Sequence, residues 1–293
     1  MKNVLCIAAL AALAGTAVAN DQMQTVSISE NANLLRQQYS GDRVAGVTVW
    51  DTMYGAGPTT TTGSPRTFIG GAIGSLGNGS GTGPITLTGL DAAMVNTTGA
   101  ALNGITAIRL NMTFWGTFGT GTAAADLVYG TLLTQASVDF TLATPLNLAS
   151  NTYIPVGNDF AVGASAANAG VDLTALNIVL PTLTSIAGVT LNWQVNQGAG
   201  FVATQAGLTS GLVANVAPQT IGSNAFAAPG GFFRNAGPRA SYADGNFINS
   251  DARNFGAAAP NTNMAYRLYA TPTPGAASLL GLAGLVAARR RRA

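Results

Sequence analysis

The sequence predicts an all-β fold, an antiparallel β-sandwich or jelly roll, for most of this 293-residue chain. Three observations predict it. Five segments alternate apolar and polar residues with a period of two, the pattern of strands that bury one face. Stretches rich in Gly, Asn and Thr, with the composition of turns, separate these segments. Only residues 31–38 suggest a short helix, and no repeat of fixed period indicates a solenoid or a propeller.

Residues 1–19 are organised as a secretory signal peptide. Lys2 provides a positive start, residues 4–14 are apolar, and Ala17 and Ala19 form an A-x-A cleavage site before Asn20. An apolar stretch of this length could also be a buried helix, but the cleavage pattern favours a signal. Cys6 lies within the apolar stretch and would be removed with it. The sequence therefore predicts an exported protein that begins at Asn20.

The alternating segments define the predicted strands and core of a single domain over residues 20–270. The five segments are 85–88, 108–115, 137–142, 189–196 and 264–268, and residues 44–50 form a further predicted strand. The residues predicted to be buried are Ile108, Leu110, Met112, Phe114, Val138, Phe140, Leu191 and Trp193, with Trp50 also in the core. The residues predicted on outward faces are Arg109, Asn111, Asp139 and Asn192.

The segments between these strands are predicted to be turns and loops. The turn-rich stretches are 55–65, 70–84, 116–122 and 163–170. The glycines at 70–74 lack the context of a nucleotide-binding loop and are therefore assigned to a turn. Residues 222–263 form a predicted loop that leads to the last strand at 263–269. Many short strands joined by Gly-rich turns favour a sandwich or a jelly roll.

Composition restricts the possible functions. All 11 acidic residues but only 8 of the 13 basic ones lie between the predicted signal and the terminal arginines, so this part has a net charge near −3. Such a charge argues against a nucleic-acid partner. The same part has no Lys, His or Cys, which excludes Ser-His-Asp and Cys-His catalysis, an ordinary zinc site and Schiff-base chemistry. No spacing singles out a glycosidase carboxyl pair. We therefore expect neither an enzyme nor a cofactor.

Two further groups of residues are candidates for a binding site. Asp244 and Asn246, with Asn249 and Asp251 nearby, offer oxygen ligands for Ca²⁺, although their spacing is not that of an EF-hand and such loops are more often plain turns. Trp115 falls on the polar face of its predicted strand. There it could stack on a sugar ring as in a carbohydrate-binding module, or it could simply cover the end of the strand.

The C-terminus is organised as a membrane-targeting tail over residues 271–293. Pro272 and Pro274 cannot lie inside a helix, so any helix of the tail begins after them. Residues 275–288 carry no charge and would span about 21 Å as a helix, which is marginal against a hydrocarbon core of about 30 Å. The arginine cluster that follows would stay on the cytoplasmic side. Its members are Arg289, Arg290, Arg291 and Arg292.

This combination of a cleavable signal, a Pro-x-Pro motif, a short apolar helix and terminal arginines resembles the PEP-CTERM sorting arrangement of Gram-negative bacteria, in its planctomycete-like variant. Thr273 stands where the named motif has Glu. The resemblance implies that a membrane protease-transpeptidase, the exosortase, recognises the tail and cuts it near Pro272, Thr273 and Pro274. It covers only the tail and implies no chemistry for the rest of the chain.

The resulting expectation is an exported, non-catalytic protein of the cell surface or the extracellular polymer matrix. The membrane would be a transient anchor, and an exosortase-like protease a partner. The alternative is a carbohydrate-binding module or adhesin that recognises extracellular polysaccharide.

Overall fold

The computed structural model describes the main part of the chain with gaps, and all structural statements below concern the described residues. These are 20–30, 46–52, 68–77, 84–116, 118–120, 127–129, 132–156, 171–180, 187–201, 207–215, 219, 221–224, 232–235, 250–253 and 261–272. The predicted signal peptide (1–19), the suggested helix at 31–38 and the apolar helix at 275–288 lie outside them.

Nineteen strands and one 3-10 turn (Thr174–Leu176) form the described part of the chain. The strands are β1 (Asn20–Glu30), β2 (Val47–Asp51), β3 (Phe68–Ser75), β4 (Ile85–Asn96), β5 (Leu102–Trp115), β6 (Phe118–Thr120), β7 (Leu127–Tyr129), β8 (Leu132–Leu148), β9 (Tyr153–Val156), β10 (Val171–Asp172), β11 (Val179–Leu180), β12 (Ala187–Asn196), β13 (Leu208–Ser210), β14 (Leu212–Asn215), β15 (Ser223–Asn224), β16 (Phe232–Asn235), β17 (Ser250–Arg253), β18 (Asn261–Met264) and β19 (Tyr266–Pro272).

Most strands belong to two sheets. Sheet A has the order β1-β8-β5-β12-β3-β16-β17, and β15 also pairs with β3. Sheet B has the order β10-β4-β19-β2, and β9, β11 and β13 also pair with β4. Two small pairs, β14 with β18 and β6 with β7, complete the described strands. Every pairing is antiparallel except that of β1 with β8, so the predicted all-β, mainly antiparallel fold is confirmed.

The core is one cluster of buried apolar side chains that includes residues of both sheets, among them Trp50 of β2, Leu268 of β19 and Ile108 of β5. All eight residues predicted to form the core are buried, and so is Trp50. The period-two pattern therefore identified the inward face of β5, β8 and β12 correctly.

The opposite face of the same strands is also buried, which the sequence did not predict. Asn111 and Asn192 are 2% and 0% exposed, so the expectation that they face solvent is wrong. Their amides lie opposite each other in neighbouring strands and bond together: Asn111 Nδ2 donates to Asn192 Oδ1 at 3.0 Å and to Gln194 Oε1 at 2.9 Å. Ser137 Oγ donates to Asn111 Oδ1 at 2.7 Å. These mutual hydrogen bonds make the burial of polar groups tolerable.

Arg109 and Asp139 also lie on this second face but remain partly exposed, at 29% and 15% of their side-chain area. Arg109 Nε and Nη2 donate to the two carboxylate oxygens of Asp139 at 2.6 and 2.7 Å. The guanidinium carbon of Arg109 also lies 4.3 Å from the ring centroid of Phe201. This bidentate ion pair connects β5 to β8 at a partly exposed position of sheet A.

The glycine-rich segment at 70–74 is a strand and not the predicted turn. It forms the middle of β3, which pairs with β12 and β16 in sheet A. A Cβ atom added to Gly71 would lie 3.1 Å from both the Cε1 and the hydroxyl oxygen of Tyr266, a residue of sheet B. The missing side chain therefore lets the Tyr266 ring pack against the backbone of β3, which is a known use of glycine inside strands.

Three other boundaries differ from the prediction. The predicted turn at 116–122 contains β6, and the predicted loop at 222–263 contains β15, β16 and β17 and most of β18. The predicted last strand at 263–269 is divided at Ala265, and its second part, β19, continues to Pro272. The strand β1 was not predicted at all. Within the described ranges, the fold has no helix of the length and apolar character that crossing a membrane requires.

Candidate functional site

The candidate site is the C-terminal end of the described fold, where β19 meets the predicted sorting tail. β19 lies between β4 and β2 and pairs with both. Its last two residues are still in the ladder, since Thr271 pairs with Thr86 and Pro272 with Ile85. The described ladder with β2 ends at Ala270, so Pro272 ends the strand on the β4 side alone. Pro272 is also the first residue of the predicted Pro-Thr-Pro motif. Thr273, Pro274 and the arginine cluster at 289–292 lie outside the described residues.

A buried ion cluster holds β19 in place. Arg267 is fully buried, and its Nε lies 3.0 Å from Asp51 Oδ2 of β2, while its Nη1 lies 3.1 Å from Asp91 Oδ2 of β4. The hydroxyl of Tyr269 donates to Asp91 Oδ2 at 2.5 Å. One guanidinium therefore connects the central strand to both of its neighbours through charge-assisted contacts.

The charges in this cluster keep Arg267 ionised. Burial by itself lowers the pKa of the Arg267 guanidinium, because a charged group loses its hydration. The nearby Asp51, Tyr269 and Asp91 raise that pKa by more, so that it lies above its ordinary value. The cluster thus has one permanent positive charge between two buried carboxyl groups, which makes its integrity dependent on Arg267.

The start of β19 is held by Thr52 and Trp50. Thr52 Oγ1 lies 2.6 Å from the carbonyl oxygen of Met264, to which it donates, and it accepts the Tyr266 N–H at 3.1 Å. The Thr52 N–H donates to the Tyr266 carbonyl, also at 3.1 Å. The rings of Trp50 and Tyr266 stack with centroids 5.5 Å apart and an angle of 29° between their planes. The strand is therefore fixed at its beginning as well as at its centre.

The two tyrosines of β19 have different surroundings. Tyr269 donates to a carboxylate, whereas the Tyr266 hydroxyl and the Trp50 indole N–H have no hydrogen-bond partner within the described part of the chain. Burial raises the pKa of the Tyr266 phenol well above its ordinary value, and the adjacent indole N–H lowers it by less without reaching hydrogen-bond geometry. Tyr266 thus contributes packing, and Tyr269 contributes a hydrogen bond.

We expect this difference to appear in a pair of matched variants. Tyr269→Phe leaves a buried carboxylate without one donor and should cost about 1–3 kcal/mol of unfolding free energy. Tyr266→Phe removes a buried hydroxyl that lacks a partner and should be neutral or slightly stabilising. Urea unfolding followed by tryptophan fluorescence measures both. Equal losses in the two variants would show that the hydroxyl of Tyr269 does not support the cluster.

The other predicted sites are not supported by the described geometry. Trp115 is only 5% exposed, so the expectation of an exposed stacking platform is wrong. It sits in the buried second face of sheet A, where a sugar ring has no access. For the proposed Ca²⁺ ligands, Asp251 lies in β17, but residues 244–249 are outside the described residues. In the described part of the chain, no three Asp, Glu, His or Cys side chains group closely enough to hold a metal.

Sequence reasoning missed the ion cluster. Arg267 lies in the alternating segment 264–268, and its partner Asp91 lies 176 residues away in the sequence. The available signal was compositional: only 8% of the residues are charged, so an arginine between apolar and aromatic residues of a strand is unusual. That signal marks Arg267 but cannot identify its partners.

Comparison of the chain with protein-family models, with curated proteins and with solved structures gives no match.

Proposed function

We propose that this is an exported, non-catalytic protein of the cell surface or extracellular matrix. In this proposal the two sheets form the predicted β-sandwich, a helix at 275–288 holds it at the membrane, and an exosortase-like protease cuts the tail near Pro272, Thr273 and Pro274. One observation carries the proposal: the predicted sorting motif starts at the last residue of β19, a strand fixed in the middle of sheet B.

The burial of β19 indicates where a cut is compatible with the fold. Ala270 is fully buried, whereas Thr271 is exposed. A cut before Ala270 would remove part of the strand that Arg267 and Tyr269 anchor. A cut after Pro272 would leave all of β19 in the sheet. The proposed mature C-terminus therefore lies between Pro272 and Pro274.

The same geometry suits an attachment point. A tether joined to Pro272 pulls along a strand that is hydrogen-bonded to β4 on one side and to β2 on the other. The backbone hydrogen bonds of both ladders and the Arg267 contacts would resist that pull together. A surface protein held through its C-terminus needs such resistance, whereas a freely secreted protein does not.

The N-terminal end gives independent support. β1 begins at Asn20, the residue predicted to follow signal-peptide cleavage. Removal of residues 1–19 would thus leave every described strand intact. Only 8% of the residues are charged, and no Cys follows the predicted signal peptide. This composition is consistent with a chain stabilised by its core and its hydrogen bonds.

The alternative, a carbohydrate-binding module or adhesin, depended on an exposed Trp115. Since Trp115 is buried, no contact within the described ranges favours this alternative over the surface-protein proposal.

The test is the mass of the C-terminal peptide of the full chain, produced in a host with an active exosortase and in the same host without it. We expect a C-terminus between Pro272 and Pro274 in the first host and at Ala293 in the second.

Replacing the four terminal arginines with Gln should weaken membrane retention, because the orientation signal is lost. Pro272→Ala together with Thr273→Ala should affect cleavage more than insertion. A mature form that still ends at Ala293 in the active host would refute the sorting proposal.

A further inference from the structure

Among the described strand pairings, that of β1 with β8 is the one exception to the antiparallel arrangement. β1 runs parallel to β8 at the edge of sheet A, from Asn20 opposite Thr134 to Glu30 opposite Leu142. Among the described elements, β8 is its only strand partner, and the 3-10 turn at Thr174–Leu176 is its one other substantial neighbour. β1 could therefore leave sheet A without breaking any other described strand pairing.

The edge of β8 needs a strand. On its other side β8 pairs with β5 over most of its length. Without β1, a long row of backbone N–H and C=O groups of β8 would be left unpaired, and such an edge readily pairs with another chain. The site on β8 is thus an acceptor for an extended segment, and the segment that fills it comes from the N-terminal end of the predicted mature chain.

The link between β1 and the rest of the fold is long. Sixteen residues, 31–46, separate β1 from β2, and β2 belongs to the other sheet. Fully extended, they reach about 53 Å at roughly 3.3 Å per residue. No tight hairpin fixes β1 to β8, because parallel strands cannot be joined by one. A copy of the chain that lies within this distance could therefore receive the same strand.

From these observations we propose that β1 is an exchangeable arm whose second binding site is the β8 edge of another copy of this chain. Exchange replaces the β1–β8 pairing within one molecule by the same pairing between two, so that all backbone hydrogen bonds are kept. The pairing within one molecule and the pairing between two molecules then differ mainly in the effective concentration of β1 at the β8 edge. Reciprocal exchange closes a dimer, and one-directional exchange builds a chain of molecules. The proposal rests on sheet A alone and is independent of the sorting tail.

Disulfide trapping can test the arm cleanly, because Cys6 is the only cysteine and Cys6→Ser leaves none. Ser29 of β1 lies opposite Thr141 of β8, and Thr141 is exposed. Paired residues of adjacent strands lie about 5 Å apart, within the Cα–Cα range of a disulfide. The full chain with Cys6→Ser, Ser29→Cys and Thr141→Cys should form this disulfide. Its failure to form would show that β1 does not occupy the β8 edge and would overturn the proposal.

The decisive experiment mixes two differently tagged full chains, one with Ser29→Cys and one with Thr141→Cys, both with Cys6→Ser. Thr144→Cys is the matched control acceptor, since Thr144 is exposed on β8 but lies beyond the register of β1. We expect a several-fold excess of the mixed 29–141 disulfide over the mixed 29–144 disulfide, increasing with protein concentration. An intrachain disulfide in the double variant without that excess would show that β1 stays in its own molecule, and it would refute exchange.

Discussion

Arg267→Ala is expected to lower the free energy of unfolding by about 3–5 kcal/mol. The variant would leave the carboxyl groups of Asp51 and Asp91 next to each other without the guanidinium that lies within 3.0 and 3.1 Å of them. Removing one partner from a buried ion pair costs more than removing both, because the remaining charge is desolvated and uncompensated. Urea unfolding at neutral pH measures the loss.

Two comparisons separate this electrostatic loss from a loss of packing. Arg109→Ala breaks a partly exposed pair with Asp139 and should cost only about 1–2 kcal/mol, including its contact with Phe201. The triple variant Arg267→Met, Asp51→Asn and Asp91→Asn should recover part of the loss, since no unpaired charge remains.

A deficit in Arg267→Ala that is not reduced in the triple variant would mean that Arg267 acts by packing alone.

Trp193→Ala is expected to cost about 3–5 kcal/mol, the usual loss for removing a large buried aromatic side chain. Trp193 of β12 is fully buried, and its Nε1 donates to Ser210 Oγ of β13 at 2.8 Å. β12 belongs to sheet A and β13 pairs with β4 of sheet B, so one side chain both fills the core and connects the two sheets.

Two milder variants separate the contribution of the Trp193 hydrogen bond from that of its apolar contacts. Ser210→Ala keeps the indole ring but leaves its N–H unpaired, which should cost about 1–3 kcal/mol. Trp193→Phe keeps most of the apolar contact and should lie between wild type and Trp193→Ala. Denaturant titration followed by circular dichroism compares them without relying on the fluorescence of Trp193. A Trp193→Ala variant within about 1 kcal/mol of wild type would show that the two sheets do not depend on this contact.

The all-β class and the inward residues of β5, β8 and β12 were determined by the sequence alone. Alternation with a period of two is a local property, because side chains of consecutive strand residues point to opposite faces whatever the partner strands are. Ile108, Leu110, Met112 and Phe114 therefore had to lie on one face, and their apolar character made that face the core. The interpretation of the residues from Pro272 to Arg292 as a sorting tail also comes from the sequence, through a resemblance, and it stays a prediction.

The candidate site and the burial of the second face of sheet A were decided only by the tertiary structure. Asn111 and Asn192 have the character of solvent-facing strand residues, and only their position opposite each other allows their burial. Glycines 70 and 71 have the composition of a turn, yet they pair with β12 in sheet A, and the Tyr266 ring packs where a side chain of Gly71 would lie. The partners of Arg267 come from two other strands, and β1 finds β8 more than 100 residues away. Pairings over such distances depend on the whole packed arrangement, which no local pattern records.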